Sequence, residues 1–386
     1  MRIGEHEIGP GHPVAIIAEI GPNHAGSLDL AKRLIRAAKD SGADGVKFQC
    51  YEPSCLTMQS DHPAYRLTEG PWAGRTLWDL YSEAQTPFAW FPELAAECKR
   101  VGIPWFASVF SPAGLAVLEA VGCPAYKIAS AEVLDLDLVR AVAATGKPVI
   151  LSDGMATDDA LRLAFRAVRE AQGRDEGDAA DALGLHCVSE YPAGPCLYAL
   201  AFHNHNRPHW QNWPLWAWGV SDHTLNDTLA VAAVALGACM VEKHLMLPEQ
   251  DYLSASAGRQ PSHINDERWL PLDYSHSITP SELARYVRAI RDTETMMVNT
   301  DRKLSGSQWR RRLVFARDLP AGHVLTTDDV TVKRCGEGAE PWEDVTTAKL
   351  PESVRQGDPV DVELLDESNT HWGEEGYAWD ASGEHT

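Results

Sequence analysis

Positive charge is scarce in this 386-residue chain, in which 34 lysine and arginine residues stand against 55 aspartate and glutamate residues, a formal net charge of −21. Nucleic acids and anionic membranes attract basic surfaces, so both classes of partner are disfavoured. The N-terminus has no basic stretch followed by an apolar one, so no secretory signal is predicted. The longest apolar run, Leu229–Val241, is too short to span a bilayer. A soluble cytoplasmic protein is the expectation.

Several short motifs are also absent. The eight cysteines form no CxxC pair, which in a reducing compartment is typical of buried thiols that act as small hydrophobic residues. Neither GxGxxG nor GxxxxGK[ST] occurs, and this disfavours a doubly wound nucleotide-binding sheet. The sequence also has no HExxH metal signature.

Short apolar segments alternate with helical patterns over the first 295 or so residues, and this alternation predicts a (β/α)8 barrel. The predicted strands are Val14–Ile20, Asp44–Gln49, Ile103–Ala107, Ala125–Ile128, Pro148–Leu151, Leu183–Cys187, Leu215–Val220 and Cys239–Glu242. The predicted helices are Ser27–Ser41, Pro92–Val101, Pro112–Val121, Leu136–Thr145, Thr157–Ala171, Thr228–Leu236 and Pro280–Met296.

The sequence texture changes after the last helix. We predict a barrel domain over residues 1–297, a linker over 298–308, a small β-rich domain over 309–366 and an acidic, disordered tail over 367–386. The β-rich prediction depends on short strand-like runs separated by turn residues in RRRLVFARDLPAGHVLTTDDVTVKR.

Polar side chains stand at the carboxyl ends of the predicted strands, where barrel enzymes carry their chemistry. Lys47 and Gln49 are two residues apart in one strand, so they point to the same face. A single such residue is more often a polar loop group, but a reactive group at nearly every strand end favours an active site. The set is Glu19, Lys47, Gln49, Lys127, Ser130, Glu132, Ser152, His186, Ser189, Tyr191, Ser221, Asp222, His223, Glu242, Lys243 and His244.

Two histidines follow the seventh and eighth strands, which are neighbours in a closed barrel. His223 and His244 can therefore converge on one ion, and two imidazoles with water or carboxylate suit Mn, Fe, Co or Zn. The alternative is a pair of unrelated core histidines. A phosphate and a carboxylate could be held nearby by Lys47, Lys127, Ser130 and Ser152.

Six segments at these positions resemble the sialic acid synthase family, which makes sialic, legionaminic and pseudaminic acids. They are AEIGPNHAGSLDLAKRLIRAAKDSGADGVKFQ, PAYKIASAE, GKPVILSDGMA, LHCVSEYP, GVSDHTL and VALGACMVEKH. RRRLVFARDLPAGHVLTTDDV is similar to the antifreeze-like, SAF-type domain of the same family. The resemblance implies a barrel with a swapped C-terminal domain in a homodimer.

The resemblance also implies a reaction. Phosphoenolpyruvate condenses with an open-chain N-acetylated amino sugar, giving a nine-carbon 2-keto sugar acid and phosphate, with a divalent metal that is often Mn²⁺, although Mg²⁺ and Co²⁺ are alternatives. Metal ligands carried over by motif are His223 and His244. Implied catalytic residues are Glu19, Lys47, Lys127, Glu132 and Glu242. Implied substrate contacts are Gln49, Ser108, Ser130, Ser152, Ser189, Tyr191, Ser221, Asp273 and, from the partner subunit, Arg311.

One stretch indicates the sugar. PWAGRTLWDLYSEAQTPFAW, together with QCYEPSCLTM, is similar to pseudaminic acid synthases, whose substrate is a 2,4-diacetamido-2,4,6-trideoxyhexose. N-acetylneuraminate or legionaminic acid synthesis is the alternative. A synthase that uses a phosphorylated sugar and a non-catalytic carbohydrate-binding paralogue are further readings.

Departures from the family pattern lie near the expected sugar pocket. The family's GPDxxFSLEPxEL appears here as PLDYSHSITPSEL, so Asp273 rather than Asp251 matches the family aspartate, after an insertion over residues 248–270. SDGM, ASVFS and KRCGEG also differ from the family. The His- and Trp-rich segment 202–218 is interpreted as a packed surface loop, with a remodelled sugar pocket or a second metal site as alternatives. Neighbouring arginines Arg310 and Arg312 leave the register of Arg311 open.

Overall fold

The computed structural model describes residues 1–69, 72–175, 180–198, 200, 217–255, 271–297 and 309–365. The chain divides into two compact units, Met1–Val298 and Asn299–Thr386. Four predicted features lie wholly or largely outside the described residues: the linker 298–308, the tail 367–386, residues 202–216 of the His- and Trp-rich segment, and residues 256–270 of the insertion.

Eight parallel strands close into a barrel in the first unit, so the predicted fold is confirmed. The strands are β1 (Ala15–Glu19), β2 (Gly45–Cys50), β3 (Trp105–Val109), β4 (Tyr126–Ile128), β5 (Val149–Ser152), β6 (Ala182–Cys187), β7 (Ala217–Asp222) and β8 (Met240–His244). Each strand pairs with the next along the chain, and β8 pairs with β1, with His244 opposite Glu19. The closure brings the carboxyl ends of all eight strands to one rim.

The helices lie close to their predicted positions. They are α1 (Leu28–Asp40), α2 (Pro53–Leu56), α3 (Leu77–Ala84), α4 (Phe91–Val101), α5 (Pro112–Ala120), α6 (Leu136–Ala143), α7 (Asp158–Ala171), α8 (Thr228–Ala235), α9 (Glu249–Ala255) and α10 (Pro280–Met297). Helix α1 begins where Ser27 accepts a hydrogen bond from the Leu30 amide. The short helices α2, α3 and α9 were not predicted, since they lie in loops without a long apolar stripe.

The pleat of β8 separates its polar residues by face. Lys243 is fully buried outside the barrel interior, 3.2 Å from Asp222, and Tyr286 of α10 donates to the same carboxylate at 2.8 Å. Because side chains alternate along a strand, Glu242 and His244 point the other way, into the barrel. Lys243 and Asp222 therefore bind helix α10 to the outside of the barrel, whereas Glu242 and His244 line its polar interior.

The second unit contains a two-stranded antiparallel sheet of β9 (Arg311–Phe315) and β10 (Val330–Arg334). Its apolar core includes Leu313, Phe315, Leu325, Leu350 and Val360. The predicted small β-rich fold is confirmed. Among the residues described in either unit, no helix is long and apolar enough to cross a membrane.

Candidate active site

Two lysines and two glutamates form a buried charge network inside the carboxyl end of the barrel. Lys47 lies 2.8 Å from Glu19 and 3.5 Å from Glu242, and Lys127 lies 2.6 Å from Glu242. The network extends through hydroxyls, since Lys47 donates to Ser108 at 3.1 Å and Ser221 donates to Glu242 at 2.8 Å. Strands β1, β2, β4 and β8 thus bring four predicted residues together.

Burial and charge set opposite pKa shifts for the two glutamates. Burial raises the pKa of Glu19, and the nearby Lys47 opposes this only in part. Burial would also raise the pKa of Glu242, but two ammonium groups, those of Lys127 and Lys47, hold it well below its usual range. One carboxyl is therefore disposed to exchange a proton and the other to remain ionised.

A group of hydroxyls lies beside this network. The Ser130 hydroxyl is 2.9 Å from the Cys187 sulfur, and the Ser152 hydroxyl is buried without a hydrogen-bond partner among the described residues. A Cβ atom added to Gly154 would lie 2.8 Å from the Ser189 hydroxyl and 3.0 Å from that of Ser130. Glycine therefore leaves a small space bordered by the Ser130 and Ser189 hydroxyls and the Cys187 sulfur, of the kind that can accept an oxyanion.

We predict that Gly154→Ala impairs binding of the anionic substrate. The added methyl group would lie 2.6 Å from the Cys187 sulfur and must also displace the Ser130 and Ser189 hydroxyls. Loss of one hydrogen bond of about 1.4 kcal/mol would raise KM about tenfold for phosphoenolpyruvate, the anionic substrate that the family resemblance implies. Steady-state kinetics would measure it. Gly336→Ala is the control, since a Cβ there meets nothing within 4 Å. An unchanged KM in Gly154→Ala would remove this space from the substrate site.

Three imidazoles and a carboxylate gather on the other side of the mouth. The ring centroid of His244 lies 5.4 Å from that of His223 and 4.7 Å from that of His276. Asp273 lies between two of them, with Oδ2 at 2.9 Å from His244 and Oδ1 at 3.7 Å from His276. Tyr191 packs on His223, with ring centroids 4.3 Å apart.

This group suits a divalent cation. The residues His244, Asp273 and His276 each offer one ligand atom within 4.8 Å of the others. The Val188 carbonyl lies 2.6 Å from Nδ1 of His223 and so holds the proton there, leaving Nε2 able to accept. Burial lowers the pKa of His244 and of His276 to about 3, so these imidazoles are neutral and can offer a lone pair.

The segment that carries Asp273 and His276 is joined to the end of β8. The Ile278 amide donates to the His244 carbonyl at 2.9 Å, and Asn23 donates to Ser277 at 2.8 Å. Because these bonds hold the segment against the strand end, residues distant from His244 in sequence lie beside it. Asp251, in contrast, pairs with Arg33 on the helical layer.

The two halves of the mouth meet at Gly21, which has a left-handed backbone with φ of 41°. A Cβ atom at this position would lie 2.8 Å from Glu19, 3.1 Å from Asp273 and 3.2 Å from Gln49. Gln49 also donates to Glu19 at 3.0 Å. The charge network and the histidine group therefore border one common space.

Glu132 stands apart from this network. Among the described residues its Oε2 is buried without a hydrogen-bond partner, and burial raises the pKa of Glu132 to about 7. The carboxyl of Glu132, which is predicted to be catalytic, thus has a raised pKa but makes no direct contact with Lys47, Lys127 or Glu242.

We expect Glu132→Gln to change how stability depends on pH. The pKa of the Glu132 carboxyl is its ordinary 4.5 in the unfolded chain and about 7 in the folded chain. The contribution of this group to folding stability is therefore fully present below pH 4.5 and is lost as the pH rises through 7. Relative to wild type, the variant therefore gains on the order of 1–3 kcal/mol between pH 4 and pH 8. Urea denaturation at both pH values measures this. Exposed Glu83→Gln on α3 is the control; an equal pH response in both variants would contradict the prediction.

The predicted Arg311 lies in the second unit and is exposed on β9. Its neighbours Arg310 and Arg312 both pair with Glu340, whereas Arg311 has no ion pair among the described residues. Of the three arginines, Arg311 is thus the one whose guanidinium is available.

Sequence reasoning missed His276 and Gly154. The signal for His276 was present, because the alignment of PLDYSHSITPSEL with GPDxxFSLEPxEL places it where the family pattern has phenylalanine. His186, another strand-end residue, lies outside the histidine group. It is hydrogen-bonded to Asp153 at 2.8 Å and to the Tyr198 carbonyl at 2.9 Å.

Comparison with known proteins places these features in a family. Residues 34–256 match the model of the NeuB family, and residues 310–363 match that of the SAF domain. The chain is 30% identical over 377 residues to a pseudaminic acid synthase of Helicobacter pylori, covering 92% of this chain and 99% of the relative. It is 30% identical over 339 residues to an N,N'-diacetyllegionaminic acid synthase of Legionella pneumophila, covering 85% and 87%. A crystal structure of an N-acetylneuraminic acid synthetase from Leptospira borgpetersenii matches with a TM-score of 0.63 and 26% identity, covering 78% of this chain and 91% of that one.

Proposed function

Because this chain belongs to the NeuB family, as its resemblance to the sialic acid synthases predicted, we propose that it condenses phosphoenolpyruvate with an open-chain N-acetylated amino sugar. The proposal depends on three groups of side chains that converge at one mouth of the barrel. They are the lysine–glutamate network, the cluster of serine hydroxyls around Gly154, and the histidine–aspartate group. These three parts suit an anionic substrate, its phosphate and an ion. The product is a nine-carbon 2-keto sugar acid, and phosphate is released.

Charge balance supports a role for a divalent cation. The common space is bordered by three carboxyls, those of Glu19, Glu242 and Asp273, and by two ammonium groups, those of Lys47 and Lys127. An anionic substrate would add negative charge to a buried site with two ammonium groups and three carboxyls, and a further cation would stabilise it there. When bound by His223 and His244, a divalent ion would act as a Lewis acid on the aldehyde oxygen. We propose Mn²⁺, with Mg²⁺ or Co²⁺ as alternatives.

The side chains provide the remaining steps of the proposed reaction. Lys47 and Lys127 hold the carboxylate and phosphate of phosphoenolpyruvate, and the hydroxyls of Ser130, Ser152 and Ser189 hold the phosphate oxygens. The electron pair of the C2–C3 double bond of phosphoenolpyruvate forms the bond from C3 to the aldehyde carbon, and the aldehyde oxygen takes up a proton to become a hydroxyl. Water then adds at C2. As the bond between C2 and the phosphate oxygen breaks, the new C2 hydroxyl loses its proton, the 2-keto group forms and phosphate leaves. Glu19 takes a proton from that water, a task that suits a carboxyl whose pKa is raised by burial. The site holds both reactants in place, and proximity supplies part of the rate.

For the sugar, we propose a 2,4-diacetamido-2,4,6-trideoxyhexose, which makes the product pseudaminic acid-like. Pseudaminic acid synthases are among the relatives, but the legionaminic acid synthase has the same 30% identity, so identity alone does not select the sugar. The test is phosphate release from phosphoenolpyruvate with each diacetamido sugar and with N-acetylmannosamine, followed by the mass of the product. No phosphate release with any of them, in protein that binds metal, would overturn the proposed function in favour of a non-catalytic carbohydrate-binding protein.

We also propose a homodimer in which Arg311 of one copy contributes to sugar binding by the other. The availability of Arg311, compared with Arg310 and Arg312, supports this choice. Arg311→Ala is expected to raise KM for the sugar about 10- to 100-fold, the scale of a lost charged hydrogen bond, and to leave KM for phosphoenolpyruvate nearly unchanged. Arg355→Ala, an exposed arginine of the same unit, is the control. Sugar kinetics equal to wild type would exclude Arg311 from the site.

A further inference from the structure

His276 places an imidazole nitrogen in the protein interior without a hydrogen-bond partner among the described residues. The side chain is 1% exposed, and its Nε2 has no hydrogen-bond partner among the described residues. Leaving a buried ring nitrogen unsatisfied costs on the order of 1–3 kcal/mol. An apolar ring of similar size would avoid that cost, so the imidazole indicates a partner that binds through nitrogen.

The backbone fixes where this nitrogen points. His276 ends a short 3-10 helix, Tyr274–His276, and two residues later the Ile278 amide binds the His244 carbonyl. The ring consequently lies against His244, with centroids 4.7 Å apart, and 6.2 Å from the ring of His223. Its Nε2 is 3.7 Å from Asp273, too long for a hydrogen bond.

The donor atoms of this group are close enough to share one ion. Ligand atoms of His244, Asp273 and His276 lie within 4.8 Å of one another. A cation with bonds of about 2.1 Å to nitrogen and oxygen joins donors up to about 4 Å apart, so small side-chain rotations are sufficient. The unsatisfied nitrogen and the neighbouring donors are independent observations that agree.

We propose that His276 is a third imidazole ligand of the divalent ion, alongside His223, His244 and Asp273. The proposal deepens the proposed function, on which it rests for the use of that ion in the reaction. Imidazole ligands suit Zn²⁺ and Co²⁺, whereas Mn²⁺ and Mg²⁺ suit carboxylate and water. A third imidazole therefore shifts the site towards Zn²⁺ and Co²⁺. Asp273 lies at the ion in addition to its proposed sugar contact.

The test measures metal binding in the absence of substrates. The full chain is stripped of metal with a chelator and titrated with Co²⁺ alone and with Mn²⁺ alone, while visible absorption and calorimetry are recorded. His276→Phe is the variant, because phenylalanine fills the buried space and matches the family pattern at this position. His323→Phe is the control, since His323 also faces a carboxylate, that of Asp329 at 2.9 Å, in the second unit.

We expect His276→Phe to weaken Co²⁺ binding about 10- to 100-fold, the cost that loss of even an outer-shell partner carries, and to weaken Mn²⁺ binding by a smaller factor, because Mn²⁺ depends less on imidazole. Co²⁺ binding and absorption equal to wild type in the variant would overturn the proposal. X-ray absorption of Co²⁺-loaded wild type counts imidazoles without any variant, and two rather than three would also overturn it. The phosphate-release assay judges the synthase reaction separately, so each proposal can fail without the other.

Discussion

His244→Ala is expected to lose bound metal and nearly all turnover. The ring stands at the centre of the histidine group, with His223 and His276 on either side and Asp273 at 2.9 Å. In the proposed reaction, its removal takes away a metal ligand and, with the ion, the positive charge that would stabilise the developing alkoxide. We expect a loss of phosphate release of about 10²- to 10³-fold, the scale found when a stabilising donor is removed from an oxyanion site. Metal content and turnover should be measured on the same sample.

His223→Ala should behave in the same way, because the proposed site uses both rings as ligands and their centroids lie 5.4 Å apart. His62→Ala is the control, since this histidine is exposed on a loop. Full-rate condensation by metal-depleted wild type would show that the Lewis-acid role is wrong. Retention of stoichiometric metal in both His223→Ala and His244→Ala would place the ion elsewhere.

Glu242→Gln is expected to destabilise the barrel strongly. The carboxylate of Glu242 is the shared partner of Lys47 and Lys127, and the three side chains are almost completely buried. The amide leaves two buried ammonium groups with Glu19 as their remaining carboxylate. Removing one partner from a buried ion pair costs about 3 kcal/mol or more. The free energy of unfolding in urea at pH 7 measures this effect.

The destabilisation caused by Glu242→Gln should depend on pH in one direction. The folded-state pKa of Glu242 lies below its ordinary 4.5, so its contribution is present above pH 4.5 and is lost as the pH falls. The gap between wild type and Glu242→Gln should therefore narrow in acid. Asp137→Asn makes the same chemical change at a 98% exposed carboxylate paired with Arg140, and should cost less than about 0.5 kcal/mol. Equal costs for the two variants would mean that the buried network does not stabilise the fold.

Much of the fold could be predicted because its signals are local. The apolar stripe of α1, with Leu30, Leu34 and Ile35 buried and Ser27 at its start, follows from spacing along the chain alone. Strand ends were predictable for the same reason, and strand ends are where a barrel places polar groups. Helix α3 was missed because it is short and lies in a loop.

The candidate site was predictable only in part. Lys47 and Lys127 were expected to surround a phosphate and a carboxylate, and the structure pairs both with glutamates. Lys243, also a strand-end residue, lies on the outer face because it is one residue out of phase with Glu242. The alternation of side chains along a strand can be read from the sequence. Which of the two alternating sets faces the barrel interior depends on the position of the strand in the sheet.

By itself, the sequence determined the barrel, the family and the segments from which a site could be built, because periodicity, turn residues and motifs are written along the chain. Only the tertiary structure decided which of those side chains meet. Closure of β8 on β1 sets His244 opposite Glu19, and the bond from the Ile278 amide to the His244 carbonyl brings His276 and Asp273 to the same mouth. Such contacts join residues far apart in sequence through backbone hydrogen bonds. Nearly every residue type can form these bonds, so no local sequence pattern encodes them.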